Sequence, residues 1–171
     1  MMRKIVLAVL VLMSIASLCY AKVDTPNNPR WLLWDGDMKT FDAWIDKDTL
    51  VYGNCKYLGA EHSHHKGVLY WVKVIEYDKN QEHLMRSEMD FECSIERLIE
   101  GISFDGDRNT IAEATKPSPE INRIYPDTRS EIAKDQLYKI GPYNKDKKAA
   151  KKTLEYWLED TEKFKAEKNK K

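Results

Sequence analysis

The chain has 171 residues, and its 28 lysine and arginine residues balance 28 aspartate and glutamate residues. Residues 22–138 hold 15 basic and 22 acidic residues, whereas residues 139–171 hold 11 basic and 6 acidic residues. This distribution argues against a nucleic-acid-binding protein, which would carry its basic surface on the folded module. The seven glycines form no phosphate-cradling cluster, and no nucleophile elbow is present in the sequence. We therefore expect a non-catalytic protein without a cofactor.

The amino terminus has the layout of a secretory signal peptide over residues 1–21. A short basic region precedes the apolar run Ile5–Met13, and small residues lead to Ala21. The apolar run is shorter than the roughly 20 residues that span a bilayer. Lipidation of Cys19 is the alternative interpretation. We expect cleavage after Ala21, which would make Lys22 the first residue of the mature protein. The mature protein would then be exported to the periplasm, cell surface or medium and would have no transmembrane segment.

After a flexible lead-in at residues 22–30, alternating side chains predict an antiparallel sheet of about five to six strands. The predicted strands are Phe41–Asp46, Val68–Ile75, Met85–Cys93, Ile95–Phe104 and Thr110–Thr115, and Trp31–Trp34 and Thr49–Tyr52 are shorter candidates. Val68–Ile75 is apolar on both faces, which is typical of a central strand. Every second side chain of Met85–Cys93 is charged, which indicates a sheet with one solvated face. The domain is predicted to cover residues 31–140.

Two helices are predicted in the last third of the chain. Asp127 or Thr128 caps the first helix, which ends near Lys139 before a Gly-Pro step. The second begins near Lys145, inside a lysine-rich tail at residues 141–171, and its apolar residues keep a helical spacing. Three interpretations of the tail stay open: packing on its own domain or a partner, a disordered segment, or attachment to anionic lipid. The predicted fold class is α+β, mainly β.

Cys55 and Cys93 are the cysteines that remain after the signal segment. An even pair in an exported chain favours a disulfide bond. Such a bond would close a loop of about 39 residues and stabilise the fold by roughly 3–4 kcal/mol in the chain-entropy model. Two buried free thiols are the alternative.

Three of the four histidines, His62, His64 and His65, crowd one loop beside Glu61. Imidazoles together with a carboxylate can bind zinc or nickel. These ligands share one short loop that lacks a rigid surrounding shell, and only His83 lies elsewhere to complete a site. We therefore favour solvent-exposed loop histidines over a metal site.

The charged face of Met85–Cys93 is the predicted binding surface, with nearby aromatic side chains as anchors. The candidate residues are Trp44, Tyr77, Arg86, Glu88, Asp90 and Glu92. Interfaces combine a polar rim with aromatic and arginine anchors, and this set contains both. On a solvated sheet face, carboxylates serve solubility or partner binding more often than acid–base catalysis.

Four segments carry a resemblance to a known family. They are residues 43–50 (AWIDKDTL), 69–74 (LYWVKV), 91–93 (FEC) and 124–128 (IYPDT). In their order and spacing, the chain resembles the surface-adhesin protein E family of Gram-negative bacteria.

This resemblance implies a bent antiparallel sheet with a helix packed against it, surface or periplasmic exposure and a homodimer. It also implies binding to host extracellular matrix. In the family, the cysteine that matches Cys93 often pairs with a cysteine in the helix near the C-terminus. Here that helix has none, so only Cys55 is available. The leading hypothesis is an exported, non-catalytic protein that binds another protein. The rivals are a structural or accessory periplasmic protein without a host ligand and a small metal-dependent hydrolase.

Overall fold

The computed structural model describes residues 25–37 and 39–170. The predicted signal peptide at 1–21 and its cleavage before Lys22 lie outside these residues. Within the described ranges, no helix is both long enough and apolar enough to cross a membrane.

In the part of the chain that the structure describes, eight antiparallel strands form one sheet, and two α-helices follow them. The elements are β1 (Trp31–Gly36), β2 (Phe41–Asp46), β3 (Val51–Asn54), β4 (Lys66–Glu76), β5 (Gln81–Asp90), β6 (Ile95–Asp105), β7 (Thr110–Ala114), β8 (Asn122–Arg123), α1 (Arg129–Ile140) and α2 (Lys147–Lys168). The main strand order is β1-β2-β4-β5-β6-β7, with β3 paired to β4 and β8 paired to β6. The predicted α+β, mainly β class is confirmed, with more strands than the five to six expected.

The central strand is β4, as its two apolar faces predicted. It pairs with β2 and β3 on one side and with β5 on the other. Tyr70 and Val72 face the larger core, where Leu137 of α1 packs against the sheet. Ile75 faces the opposite side and joins a smaller core around Trp44. Register shifts in the β1–β2, β5–β6 and β6–β7 pairs mark β-bulges, which bend strands.

A reciprocal cap starts α1, in agreement with one of the two predicted N-cap residues. The backbone N–H of Glu131 donates to Thr128 Oγ1 at 3.3 Å, and the N–H of Asp127 donates to Glu131 Oε2 at 2.8 Å. Ala133 and Leu137 are buried against the sheet. The hydroxyl of Tyr52 donates to the Leu137 carbonyl at 2.8 Å, so β3 also holds this helix.

The lysine-rich helix α2 packs on its own domain across the outer edge of β1. Trp157 is 2% exposed and Phe164 is 9% exposed, and they join the larger and the smaller core respectively. The indole N–H of Trp157 donates to the Leu33 carbonyl at 2.6 Å, and the Leu33 N–H donates to Thr161 Oγ1 at 3.0 Å. Side chains of α2 therefore satisfy backbone groups that an edge strand otherwise leaves open to pairing with other chains.

Replacing Trp157 with alanine tests this docking. We expect the free energy of unfolding in urea to fall by about 3–5 kcal/mol, because the change leaves a cavity in the larger core. The matched control is Tyr156→Ala on the same helix, where the side chain is 64% exposed. The control should stay within about 0.5 kcal/mol of the wild type. Equal stability of the two variants would contradict the docked position of α2.

Candidate metal centre

Two loops meet at the end of the sheet where β4 begins and β5 ends. Residues 55–65 connect β3 to β4, and residues 91–94 connect β5 to β6. The antiparallel register places Gly67 opposite Asp90. A Cβ atom on Gly67 would lie 2.3 Å from the Met89 carbonyl oxygen and 2.6 Å from Cys55 Sγ. Glycine at this position therefore permits the close approach of the 55–65 loop to β5.

A buried carboxylate holds the first half of the 55–65 loop. Glu88 is 2% exposed. Its two oxygens accept the backbone N–H groups of Lys56 at 2.8 Å and of Tyr57 at 2.6 Å. The Cys55 N–H donates to the His65 carbonyl at 3.0 Å and closes the loop on itself. Loop backbone groups that leave water need such partners, and Glu88 supplies two of them.

A second buried carboxylate, that of Asp90, joins the two loops. Its Oδ1 accepts the backbone N–H groups of Glu92 at 2.7 Å and Cys93 at 3.0 Å, which fixes the turn after β5. Its Oδ2 lies 2.9 Å from His62 Nδ1 and 2.7 Å from His65 Nδ1. One carboxylate oxygen is thus bound by its own turn, and the other faces two imidazoles of the opposite loop.

The electrostatics follow from these contacts. Burial raises the pKa of Asp90, but hydrogen bonds from the Cys93 backbone and the His65 ring outweigh it, so the pKa lies below its ordinary value. The same hydrogen bond to Asp90 raises the pKa of His65. Partial loss of solvent around the sulfur and the neighbouring Asp90 carboxylate raise the pKa of the Cys93 thiol, although the residue is exposed. The cluster therefore pairs an ionised carboxylate with an imidazole that readily carries a proton.

Four potential metal ligands converge at this point. The donor atoms of His62, His65, Asp90 and Cys93 all lie within 4.8 Å of one another. The two Nδ1 atoms are 3.3 Å apart, and Cys93 Sγ is 3.4 Å from His65 Nδ1. A tetrahedral ion bound at about 2.0–2.3 Å sets neighbouring donors roughly 3.3–3.6 Å apart. The two histidine nitrogens and the Cys93 sulfur beside His65 are thus at the spacing of a bound ion, whereas Asp90 Oδ2, hydrogen-bonded to both rings at 2.7 Å and 2.9 Å, lies closer.

The cluster lies just below the surface. The side chains of His62 and His65 are 16% and 15% exposed, and that of Asp90 is fully buried. Cys93 is exposed. His62 Nε2 lies 3.9 Å from Glu61 Oε1, so a carboxylate stands beside the ring nitrogen that faces away from the cluster. The arrangement combines a preformed donor set with a solvent-facing entry past Cys93.

The structure corrects the interpretation of the loop histidines as solvent-exposed. His62 and His65 are largely covered and turn inward to Asp90, whereas His64 is exposed as expected. His83 does not complete the site: its ring lies 2.7 Å from Ser103 Oγ and 3.2 Å from Glu76. The remaining donors come instead from Asp90 and Cys93. The geometry thus favours a metal site, which was the less favoured interpretation of the sequence.

The structure also corrects the predicted binding surface. Of its six residues, three are buried: Trp44 at 0%, Glu88 at 2% and Asp90 at 0% exposure. The 55–65 loop covers the two carboxylates, because its N–H groups and histidines bind them. Trp44 packs edge-on against Phe164 of α2, with ring centroids 5.8 Å apart. These three residues are not available to a partner.

The other three candidates do not form one surface either. Arg86 is half-buried and forms an ion pair with Glu100 at 3.0 Å. The Tyr77 hydroxyl donates to Asp42 at 2.5 Å at the other end of the β4–β5 hairpin. Glu92 is exposed, and it accepts the Lys66 N–H at 3.0 Å beside the metal-ligand cluster.

The predicted disulfide bond is not present, since both cysteines of the described chain are free thiols. Cys55 is buried and its sulfur lies against Gly67. Burial raises the pKa of the Cys55 thiol to about 12. Cys93 is exposed and its sulfur faces His65. The two sulfurs thus have different neighbours, Gly67 for Cys55 and His65 for Cys93.

The fold and the cluster define a mainly β domain with a candidate metal centre at one end of its sheet. No family model, no curated protein and no solved structure matches this chain. The resemblance to the surface-adhesin protein E family therefore stays a prediction, and the function must be argued from the geometry.

Replacing Glu88 with alanine tests its anchoring role. We expect the free energy of unfolding to fall by about 2–3 kcal/mol, because two loop N–H groups lose a charged acceptor. The matched control is Glu113→Ala on β7, where the side chain is exposed. That control should change stability by less than about 0.5 kcal/mol in urea denaturation. If Glu88→Ala were as stable as the control, the buried anchoring role would be contradicted. Glu88 would then lie on a solvated face, as the sequence predicted.

Proposed function

We propose that this chain is an exported, non-catalytic protein that binds a divalent transition-metal ion. The ligands are His62, His65, Asp90 and Cys93. The observation that carries the proposal is the convergence of their four donor atoms within 4.8 Å, although they come from two separate segments, the 55–65 loop and the end of β5 with the turn after it. Imidazole and thiolate donors suit transition metals, whereas Mg²⁺ and Ca²⁺ take oxygen ligands. Export is supported by the signal-peptide pattern of residues 1–21.

The number of donors supports binding rather than catalysis. Catalytic zinc sites combine three protein ligands with a water or substrate in the fourth position, whereas structural sites use four protein ligands. Four protein donors are present here. This count weighs against the metal-dependent hydrolase that the sequence left as a rival.

A second candidate function, binding of another protein, is favoured by the face of the sheet opposite α1. A cavity of about 240 Å³ on this face is lined by Arg30, Trp31, Asp46, Thr49, Trp71 and Leu84. Tryptophan and arginine dominate binding energy at protein interfaces. Under this hypothesis the partner is host matrix or a second copy of the chain, as the protein E resemblance implies. A structural or accessory periplasmic protein would have no host ligand.

Metal titration tests the first proposal. We expect untagged, chelator-stripped protein to bind one Zn²⁺ per chain in competition with a chromophoric chelator. His65→Ala and Cys93→Ser should each weaken zinc binding by at least roughly 10- to 100-fold, because even the loss of a residue that only hydrogen-bonds to a metal ligand costs that much affinity. His64→Ala is the matched control, because His64 lies in the same loop and is not one of the four ligands, although its ring contacts that of His65 with centroids 4.4 Å apart. Failure of the wild type to bind Zn²⁺, Cu²⁺ or Ni²⁺, or an equal loss in His64→Ala, would contradict the proposal.

Binding to immobilised matrix proteins tests the second candidate. Trp71→Ala should weaken binding by about 2 kcal/mol or more if Trp71 is an anchor. The control is Tyr156→Ala, an exposed aromatic on α2. Equal binding by the two variants would place any partner elsewhere on the chain.

A further inference from the structure

We propose that the ion is Zn²⁺ in a closed, four-ligand site and that it acts as a local cross-link between the 55–65 loop and the β5–β6 turn. The inference rests on the proposed metal binding, and it adds the identity of the ion and its role. Each segment supplies two ligands. His62 and His65 belong to the loop, and Asp90 and Cys93 lie at the end of β5 and in the turn.

The positions of three donor atoms favour a tetrahedral ion. The Nδ1 atoms of His62 and His65 are 3.3 Å apart, and Asp90 Oδ2 is 2.9 Å and 2.7 Å from them. Any three donors of a square plane include a trans pair, which lies roughly 4 Å apart at ordinary bond lengths. No pair in this triangle is that far apart. The arrangement therefore disfavours the tetragonal geometry of Cu²⁺ and Ni²⁺, and a tetrahedral Zn²⁺ requires only that Asp90 Oδ2 move by about 0.5 Å away from the two rings.

Charge and proton balance also fit Zn²⁺. The Asp90 carboxylate and the Cys93 thiolate bring two negative charges, which balance the charge of the ion. Binding releases the thiol proton of Cys93 to solvent, since the thiolate is the ligand. Each histidine coordinates through Nδ1, so the proton that this nitrogen donates to Asp90 moves to Nε2 in a neutral ring or leaves to solvent from a protonated ring. For His62 that second nitrogen lies 3.9 Å from Glu61 Oε1, a distance too long for a hydrogen bond, so the exposed Glu61 carboxylate stands near the ring without fixing it.

Local backbone structure prepares both halves of the site. The His65 N–H donates to the His62 carbonyl at 3.0 Å, so a tight turn brings the two rings together. Asp90 Oδ1 is held by the N–H groups of Glu92 and Cys93, which leaves Oδ2 for the ion. An ion at this position joins two segments that are already shaped to receive it.

The role is local because the domain has a hydrophobic core elsewhere. The larger core contains Tyr70, Leu137 and Trp157 and none of the four ligands. Small zinc fingers lack such a core and unfold without metal. In this chain Glu88 already holds the start of the loop at Lys56 and Tyr57. The ion therefore fixes the second half of the loop without being required for the fold.

Hydrogen exchange of the full chain, with excess Zn²⁺ and after chelation, tests the inference. We expect Zn²⁺ to slow exchange at least about tenfold in peptides that cover 55–65 and 91–94, and to leave α1 and α2 unchanged. Cys93→Ser should lose this protection, with His62→Ala as the second variant if Cys93→Ser does not fold. His64→Ala is the control and should keep it. X-ray absorption should report four ligands, one of them sulfur.

Each of the following results would contradict a different part of the inference. Bound zinc without slower exchange at 55–65 would overturn the cross-link and leave the metal-binding function standing. Global unfolding on chelation would overturn the local role. A tighter square-planar Cu²⁺ or Ni²⁺ complex, or a water in the coordination shell, would overturn the closed zinc site. If elemental analysis shows no bound metal, the inference and the proposed function both fail.

Discussion

The register between β4 and β5 determines where the candidate metal ligands of this protein lie. Gly67 pairs with Asp90 at one end of the hairpin, and Glu76 pairs with Gln81 at the other. The loop that leads into β4 must therefore meet the turn that leaves β5. A slip of one residue would turn Asp90 to the other face of the sheet and away from the histidines. The missing side chain at Gly67 lets the loop close over β5 in this register, since a Cβ atom there would strike the Met89 carbonyl oxygen.

Within this frame, two buried carboxylates connect stability to the site. An uncompensated charge is expensive to bury, so Glu88 and Asp90 must be paired in the folded state. Glu88 is paired with backbone N–H groups at the start of the 55–65 loop, and Asp90 with its own turn and two histidines. The interactions that compensate the buried charge are the same ones that position the candidate ligands. If the loop moved away, the two carboxylates would be exposed to water or left buried without hydrogen-bond partners. The local fold and the position of the candidate ligands therefore depend on the same contacts.

Most of the fold could be predicted from the sequence, because strands and helices follow local periodicity. The alternation in 68–75 identified β4, and the capping pattern at Thr128 identified the start of α1. Alternation alone did not reveal the site, because a charged strand face looks the same whether water or a loop covers it. The relevant signal was the β4–β5 turn at residues 77–80: counting outward from it places His65 opposite Glu92, beside Asp90 and Cys93. The position of α2 could not be predicted from the sequence, because its apolar stripe could pack equally well against its own domain or against a partner.

The disulfide expected from the sequence and the metal site proposed from the structure tie together the same two segments. A Cys55–Cys93 bond would have joined the 55–65 loop to the β5–β6 turn, and a zinc ion joins them through other side chains. Cys55 is buried against Gly67, so the exposed Cys93 is left without a cysteine partner within the described chain. In an oxidising compartment such a thiol tends towards intermolecular disulfides. Coordination would engage its sulfur as a thiolate ligand, so in our proposal the metal replaces the covalent cross-link and also removes the thiol that would otherwise react.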